Sequence, residues 1–358
     1  MSLSQPAAMG EISRQGRAVV SGITAIVPAY NEAASIADTI RSLQQQTRTL
    51  DEIFVVDDCS TDDTGEIARQ LGVRVLRPPQ NSGSKAGAQT YALQFVDTEY
   101  CMAIDADTAL APDSVEMILT AMCDRSIAAA CGFVVPRFVR TIWERGRYIE
   151  YLFAFTFYKP IQDFFQKPMI SSGCFSVYRT EILCQVGGWS NRTLAEDMDL
   201  TWTLYRAGHG VRFVPDAVCY PIEPNSLHFL SKQLTRWSHG FIQNVRLHWL
   251  HVLDQPYLRS VLAVGLWDAT VASLAYLLLL PLLAIFLHPL FLLGYVVDLP
   301  AVAIPVIAAG IKRGELPRVL TSLPCFLLMR LVNSAFMLRA VWSEVILGRR
   351  LCIYEKGH

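Results

Sequence analysis

Two acidic pairs stand directly behind short apolar runs. Asp57-Asp58 follows Ile53-Phe54-Val55-Val56, and Asp105-Ala106-Asp107 follows Cys101-Met102-Ala103-Ile104. An Asp-x-Asp triplet is expected about once by chance in such a chain, so its position is what carries meaning. Carboxylates at the end of a buried strand project where a sheet binds its ligands. Hard divalent cations take such oxygens and complete their shell with substrate phosphates. A second group lies further along. Gln233-Leu234-Thr235-Arg236-Trp237 is a Gln-x-x-Arg-Trp sequence, expected only about 0.02 times by chance. A permanent guanidinium beside a flat indole suits a diphosphate and a sugar ring.

The elements that must position these groups are readable from periodicity. Thr24 to Pro28, Ile53 to Val56, Val73 to Leu76 and Tyr100 to Ile104 are short apolar runs of strand type. Between them, Ala33 to Gln46 (with Ile36, Ile40 and Leu43 at helical spacing), Thr64 to Leu71 and Lys85 to Val96 have helical texture. Repeated strand–helix units predict an α/β fold: a mostly parallel sheet, right-handed crossovers and helices on both faces. Tyr148 to Phe165 is rich in aromatics (Tyr151, Phe153, Phe155, Phe157, Tyr158, Phe164 and Phe165). Core packing and a membrane surface fit it equally well.

Of the 358 residues, 52% are hydrophobic and 18% charged, and the shortage of charge is local. Only Asp268 and Asp298 are charged between Val261 and Ile311, where the chain-wide share would place about nine. Residues 261–286 and 289–311 are each long enough to span a bilayer, which takes about 20 residues. Arg259 before the first and Lys312-Arg313 after the second predict that both outer ends lie in the cytoplasm. A third apolar stretch, 320–347, holds Arg330, Asn333 and Arg339; crossing would export the basic end, so it is expected to be interfacial or bundle-packed. His228 to Trp249 mixes bases and tryptophans with apolar residues, as an interfacial helix does. The net charge of −1, from 31 basic and 32 acidic residues, offers no field for nucleic acid. The nine cysteines form no Cys-x-x-Cys pair, and Met1 to Arg17 lacks a signal peptide's apolar run. A reducing, cytosol-facing catalytic region is expected.

The order of motifs resembles the family 2 glycosyltransferases with the GT-A fold. It runs from Pro28-Ala29-Tyr30-Asn31-Glu32 through Val56-Asp57-Asp58-Cys59-Ser60 and Asp105-Ala106-Asp107 to Glu196-Asp197 and Gln233-x-x-Arg236-Trp237. The likeness is greatest to the membrane-embedded branch of cellulose, chitin, hyaluronan and poly-N-acetylglucosamine synthases. An oxidoreductase would want a Gly-x-Gly-x-x-Gly turn where Pro28 to Glu32 stands.

The resemblance implies a GT-A (Rossmann-like) nucleotide-sugar domain at 21–225, after a polar tail at 1–20. Interfacial helices at 226–258, a membrane region at 259–347 and a basic tail at 348–358 would follow. By the same resemblance Pro28, Tyr30, Glu32, Asp58, Lys85 and Asp105 would line the nucleotide pocket, and Asp107 would hold Mg²⁺ or Mn²⁺. Asp197 would be the general base, while Glu196, Gln233, Arg236 and Trp237 would hold acceptor and diphosphate. Ser171-Ser172-Gly173-Cys174 falls where the family has a loop facing the acceptor. The activity implied is inverting transfer from a UDP-sugar to a glycan, lipid or protein hydroxyl, at the inner membrane and among its lipids. Two or three apolar helices are too few for one chain to enclose a polysaccharide channel. The expectation is therefore a membrane-bound homo-oligomer that adds sugars repeatedly to a β-linked glycan, or a short product, the alternative being single-sugar transfer to a polyprenyl-phosphate lipid or protein acceptor.

Overall fold

The computed structural model describes residues 20–352, so most of the two predicted tails, 1–19 and 353–358, lies outside the described residues. In chain order the first half runs β1 (Val20–Ala29), α1 (Ile36–Gln44), β2 (Glu52–Asp57), α2 (Thr64–Gln70), β3 (Arg74–Leu76), α3 (Lys85–Leu93), β4 (Thr98–Ile104), β5 (Thr108–Leu110), α4 (Ser114–Thr120) and β6 (Ile127–Val134). Then come α5 (Ile142–Phe153), α6 (Lys159–Phe164), β7 (Phe175–Arg179), α7 (Thr180–Gln185), α8 (Glu196–Arg206), β8 (Gly210–Pro221) and α9 (Leu227–Leu253). The apolar remainder holds α10 (Pro256–Trp267), α11 (Leu280–Phe286), α12 (Leu299–Arg313) and α13 (Leu316–Val341).

The strands form one eight-stranded sheet in the order β3-β2-β1-β4-β7-β6-β8-β5. The β3-β2-β1-β4 half is parallel throughout. β7 then enters antiparallel between β4 and β6, β8 runs parallel to β6, and β5 closes the edge antiparallel to β8. The sheet is therefore mixed, its regular parallel part being the half that the apolar runs announce. Both faces are covered, because inward and outward positions of each central strand are equally apolar. On one face Ala25, Val27, Met102 and Ile104 pack with Ile36, Ile40 and Leu43 of α1 and Tyr148 and Leu152 of α5. On the other, Ile26, Cys101 and Ala103 pack with Leu93 of α3, Leu200 of α8 and Phe241 of α9.

Because β1, β2 and β4 point the same way, their carboxyl ends share one edge. That edge brings Tyr30, Asp57-Asp58 and Asp105 together where β4 meets the reversed β7, the crevice in which open α/β sheets bind ligands. Asn31 turns the chain off β1 with φ 56°, a left-handed conformation that asparagine tolerates. Its side chain fixes the turn by accepting the Thr61 N–H at 2.8 Å.

The aromatic segment divides. Tyr148, Leu152 and Phe155 enter the core, whereas Phe157, Tyr158, Phe164 and Phe165 are exposed. The division falls inside a π-helical stretch, Ala154–Tyr158, which holds Phe155 on its buried side and Phe157 and Tyr158 on its exposed side. Among the described residues three helical stretches are long and apolar enough to cross a membrane: Tyr257–Phe286, Pro289–Arg313 and Leu316–Ile346. Length and composition do not set the third apart, but packing does. Its most apolar window is 28% buried, against 11% for the other two, with Val319 and Phe326 joining the core beside α5. Two isolated charges of the apolar region satisfy each other: Arg330 pairs with Asp298, whose other oxygen accepts the Tyr276 hydroxyl at 3.0 Å.

Candidate functional site

At the strand edge the polar groups are packed tightly. Asp58, buried, spends both carboxylate oxygens on Ser82, accepting its N–H at 2.8 Å and its hydroxyl at 2.7 Å. That contact folds the Asn81-to-Ser84 loop back over β2 and sets the start of α3, which Ser84 caps by accepting the Gly87 N–H at 3.1 Å. Glu32 is buried and accepts the Ser35 hydroxyl at 2.9 Å. Pro28 is half-buried at the end of β1, and Tyr30 is 43% exposed, open to the crevice. Besides the nucleoside-lining role expected of them, the Asp58 and Glu32 carboxylates hold the loops at this edge.

Lys85, the first residue of α3, is the hub. Its Nζ pairs with Asp105, donates to the Gly173 carbonyl at 2.9 Å and lies 3.8 Å from Glu196. Gly173 faces the other way through its N–H, which donates to Asp197 Oδ2 at 3.0 Å. A Cβ on Gly173 would sit 3.0 Å from Lys85 Nζ and 3.1 Å from Asp197 Oδ2, so any side chain there would require these two groups to give by a few tenths of an ångström. Asp197 also accepts the Met198 N–H at 2.8 Å. It lies in the first turn of α8, where helix dipole and free amides favour an anion. Burial pushes the Glu196 carboxyl above its usual range; Lys85 and Arg236 oppose the shift and the neighbouring Asp197 charge adds to it. Asp107, half-buried past the end of β4, accepts the Thr108 hydroxyl at 3.1 Å, and its carbonyl accepts the Ile222 N–H at 3.2 Å.

The Gln-x-x-Arg-Trp sequence lies on α9, a helix of 27 residues capped by Ser226. Arg236 is near enough to Glu196 to counter its burial. Gln233 and Trp237 are held by a residue that the sequence did not single out, Arg147 of α5. The Arg147 side chain, only 4% exposed, donates to Gln233 Oε1 at 3.1 Å and to Glu150 at 2.7 Å, and lies 3.4 Å from Glu223. Its guanidinium carbon sits 4.3 Å from the centre of the Trp237 ring. Burial alone would depress this guanidinium; Tyr151, Glu150 and Glu223 outweigh it and hold it more basic than usual. Tyr151 joins by donating to the other Glu223 oxygen at 2.8 Å. Helical phase is the only sequence signal for Arg147: it shares a face with Tyr151, four residues on.

A mixed sheet with an Asp-x-Asp turn at its strand edge and an acidic helix start across the crevice is the GT-A arrangement of the glycosyltransferases. Residues 24–187 match the Glycosyl transferase family 2 profile, which marks this segment as a family 2 glycosyltransferase domain. The matched segment ends before Glu196, so that residue and everything after it rest on the geometry above. The poly-beta-1,6-N-acetyl-D-glucosamine synthase of Staphylococcus aureus (strain COL) is 27% identical over 225 residues, 62% of this chain and 55% of the relative. The uncharacterized glycosyltransferase YaiP of Escherichia coli (strain K12) is 30% identical over 238 residues, 63% of this chain and 58% of that one. The chain thus spans little more than half the length of these curated relatives. Among solved structures, the mannosyltransferase PcManGT from Pyrobaculum calidifontis, in complex with GDP-Man and Mn²⁺, shares the fold. Its TM-score is 0.60 at 19% identity, covering 93% of this chain and 91% of that one.

One further set of contacts binds the two halves of the site. From α9, Gln243 accepts the Leu194 N–H at 3.0 Å, Asn244 donates to the Ala195 carbonyl at 3.0 Å, and His248 Nε2 meets Asp199 at 2.7 Å. Gly240 faces the same residues: a Cβ there would lie 2.7 Å from both the backbone nitrogen and the Cβ of Ala195. Backbone cannot yield as a flexible side chain can, so Gly240→Ala should drive the start of α8 away from α9. Misplacing a reacting group by about 1 Å costs about a hundredfold, so at least a tenfold loss of turnover (roughly) is expected. Steady-state kinetics with a melting curve check this; wild-type turnover in the folded variant would refute it.

Proposed function

We propose that the chain is a membrane-bound, inverting glycosyltransferase. It would move a sugar from a UDP-sugar to an acceptor hydroxyl, by repeated addition to a β-linked glycan. The observation that carries this reading is the convergence on one crevice of Asp197, oriented by Gly173, with Lys85, Glu196 and Arg236. Asp197 accepts the proton of the acceptor hydroxyl, whose oxygen attacks the anomeric carbon as the bond to the diphosphate breaks. Lys85 and Arg236 offer fixed positive charge beside the departing group. No second carboxylate is needed as nucleophile, so a single displacement inverts the anomeric centre. The Trp237 ring and Gln233, fixed by Arg147, give the acceptor sugar a flat face and a hydrogen-bonding edge. The staphylococcal relative, named for a β-linked N-acetylglucosamine polymer, supports repeated addition.

The donor set suits Mg²⁺ or Mn²⁺. Asp107, with Asp105 beside it, supplies hard oxygens, and among the described residues no group of three or more His, Cys, Asp or Glu forms a complete protein cage. A cation that keeps one or two carboxylates and takes its other ligands from phosphates and water fits such a site. Bound there, it would supply positive charge against the leaving diphosphate. The apolar helices, with Arg259, Lys312 and Arg313 beside them, support a reading in which the enzyme is a homo-oligomer of the inner membrane with its catalytic domain facing the cytosol.

Purified enzyme incubated with a panel of UDP-sugars and Mn²⁺ should yield a labelled β-linked oligomer on a sizing gel. Excess chelator and Asp107→Asn should each abolish it without unfolding the protein. Full activity in chelator would remove the metal from the mechanism. Products limited to one sugar on a lipid or protein would replace repeated addition by single transfer.

A further inference from the structure

The loop from Ile170 to Cys174 orients the proposed base from above and rests on thiols below. Lys159 Nζ donates to the Ile170 carbonyl at 2.7 Å and to the Ser172 hydroxyl at 2.9 Å, and it contacts Cys131 Sγ at 3.2 Å. The next contact is between two thiols. Cys174 Sγ, partly exposed at the head of β7, lies 4.0 Å from Cys219 Sγ, which is fully buried on β8. These cysteines are 45 residues apart in sequence. Cys174 ends the Ser171-to-Cys174 loop and Cys219 belongs to no motif; the reaction proposed above uses neither thiol.

We propose that Cys174 and Cys219 are a redox-modification site: peroxide oxidation joins them in a disulfide that displaces Gly173 and silences transfer. In the first step the Cys174 sulfur attacks a hydroperoxide, giving Cys174 sulfenic acid and releasing an alcohol or water. In the second the Cys219 sulfur displaces the hydroxyl as water, forming the S–S bond; the peroxide is reduced and two thiols are oxidised. A disulfide is about 2.05 Å long, so the sulfurs must close by about 2 Å. Cys219 is fixed within the sheet, and its carbonyl accepts the Val135 N–H at 2.9 Å. The movement therefore falls on Cys174 and on its neighbour Gly173, whose N–H and carbonyl hold Asp197 and Lys85. A reducing cytosol would keep the bridge transient, as redox-sensing disulfides are.

The part of this inference that concerns transfer rests on the proposed function; bond formation does not, and the two are measured separately. The full chain in detergent is treated with hydrogen peroxide, free thiols are blocked with N-ethylmaleimide, and a non-reducing digest is weighed. A linked peptide pair containing Cys174 and Cys219 is expected, lost in Cys219→Ala and on adding dithiothreitol. Linked protein should transfer sugar at least about tenfold more slowly than reduced protein, with dithiothreitol restoring the rate. Both cysteines recovered alkylated, either recovered only as separate acids, or linkage to a different cysteine would overturn the site. Unchanged transfer by the linked protein would overturn its effect.

Discussion

Asp197→Asn is expected to slow turnover by about a hundredfold or more while UDP binding stays near the wild-type value. The substitution keeps the shape of the side chain; Asp197 gives one oxygen to the Gly173 N–H and the other to the Met198 N–H, so the single amide oxygen keeps one of these two bonds. What it removes is the basic oxygen. It also removes a negative charge that helps to hold the Glu196 carboxyl above its usual range. Glu196 should then ionise at lower pH, and the acid limb of the residual rate profile should move down with it. Isothermal titration with UDP beside a pH–rate profile checks both halves. Equal losses in binding and turnover would make Asp197 a structural residue.

The second large effect belongs to Arg147. Arg147→Met removes the cation that faces Glu150 and Glu223, leaving buried carboxylates uncompensated. Breaking a buried pair in this way costs about 3–5 kcal/mol, so a sharply lowered melting temperature is expected. Arg147→Lys separates stability from function. An ammonium keeps the charge, but it cannot at once bond Gln233, Glu150 and Glu223 and lie flat on the Trp237 ring. That variant should stay folded yet show a raised KM for acceptor with little change in the KM for donor. A lysine enzyme with both constants at wild-type values would exclude Arg147 from acceptor positioning.

Much of the arrangement was legible from local pattern. The apolar runs before Asp57 and Asp105 are buried strands because a doubly covered parallel sheet requires apolar residues on both faces, and parallel strands share one carboxyl edge. What was not legible depends on contacts across the chain. Nothing near Gly173 announces that its amide meets a carboxylate 24 residues later. Nor does anything near Arg147 reveal a glutamine 86 residues away. The antiparallel entry of β7 was hidden for a related reason: strand direction is set by the route of the preceding connection, here the long α5–α6 excursion. The third apolar helix shows the limit of hydropathy, which measures what a surface tolerates and not what covers it.

The helix α9 is about 40 Å of unbroken rod at 1.5 Å per residue. Near one end it carries Gln233, Arg236 and Trp237, and further along Gly240, Gln243, Asn244 and His248 hold the start of α8. The helix is therefore a gear as well as a platform. Inserting or deleting one residue between Trp237 and Gly240 would turn one set of teeth by about 100° against the other. No nearby loop could absorb that error. The spacing of the two sets is locked, and this part of the chain should accept no change of length.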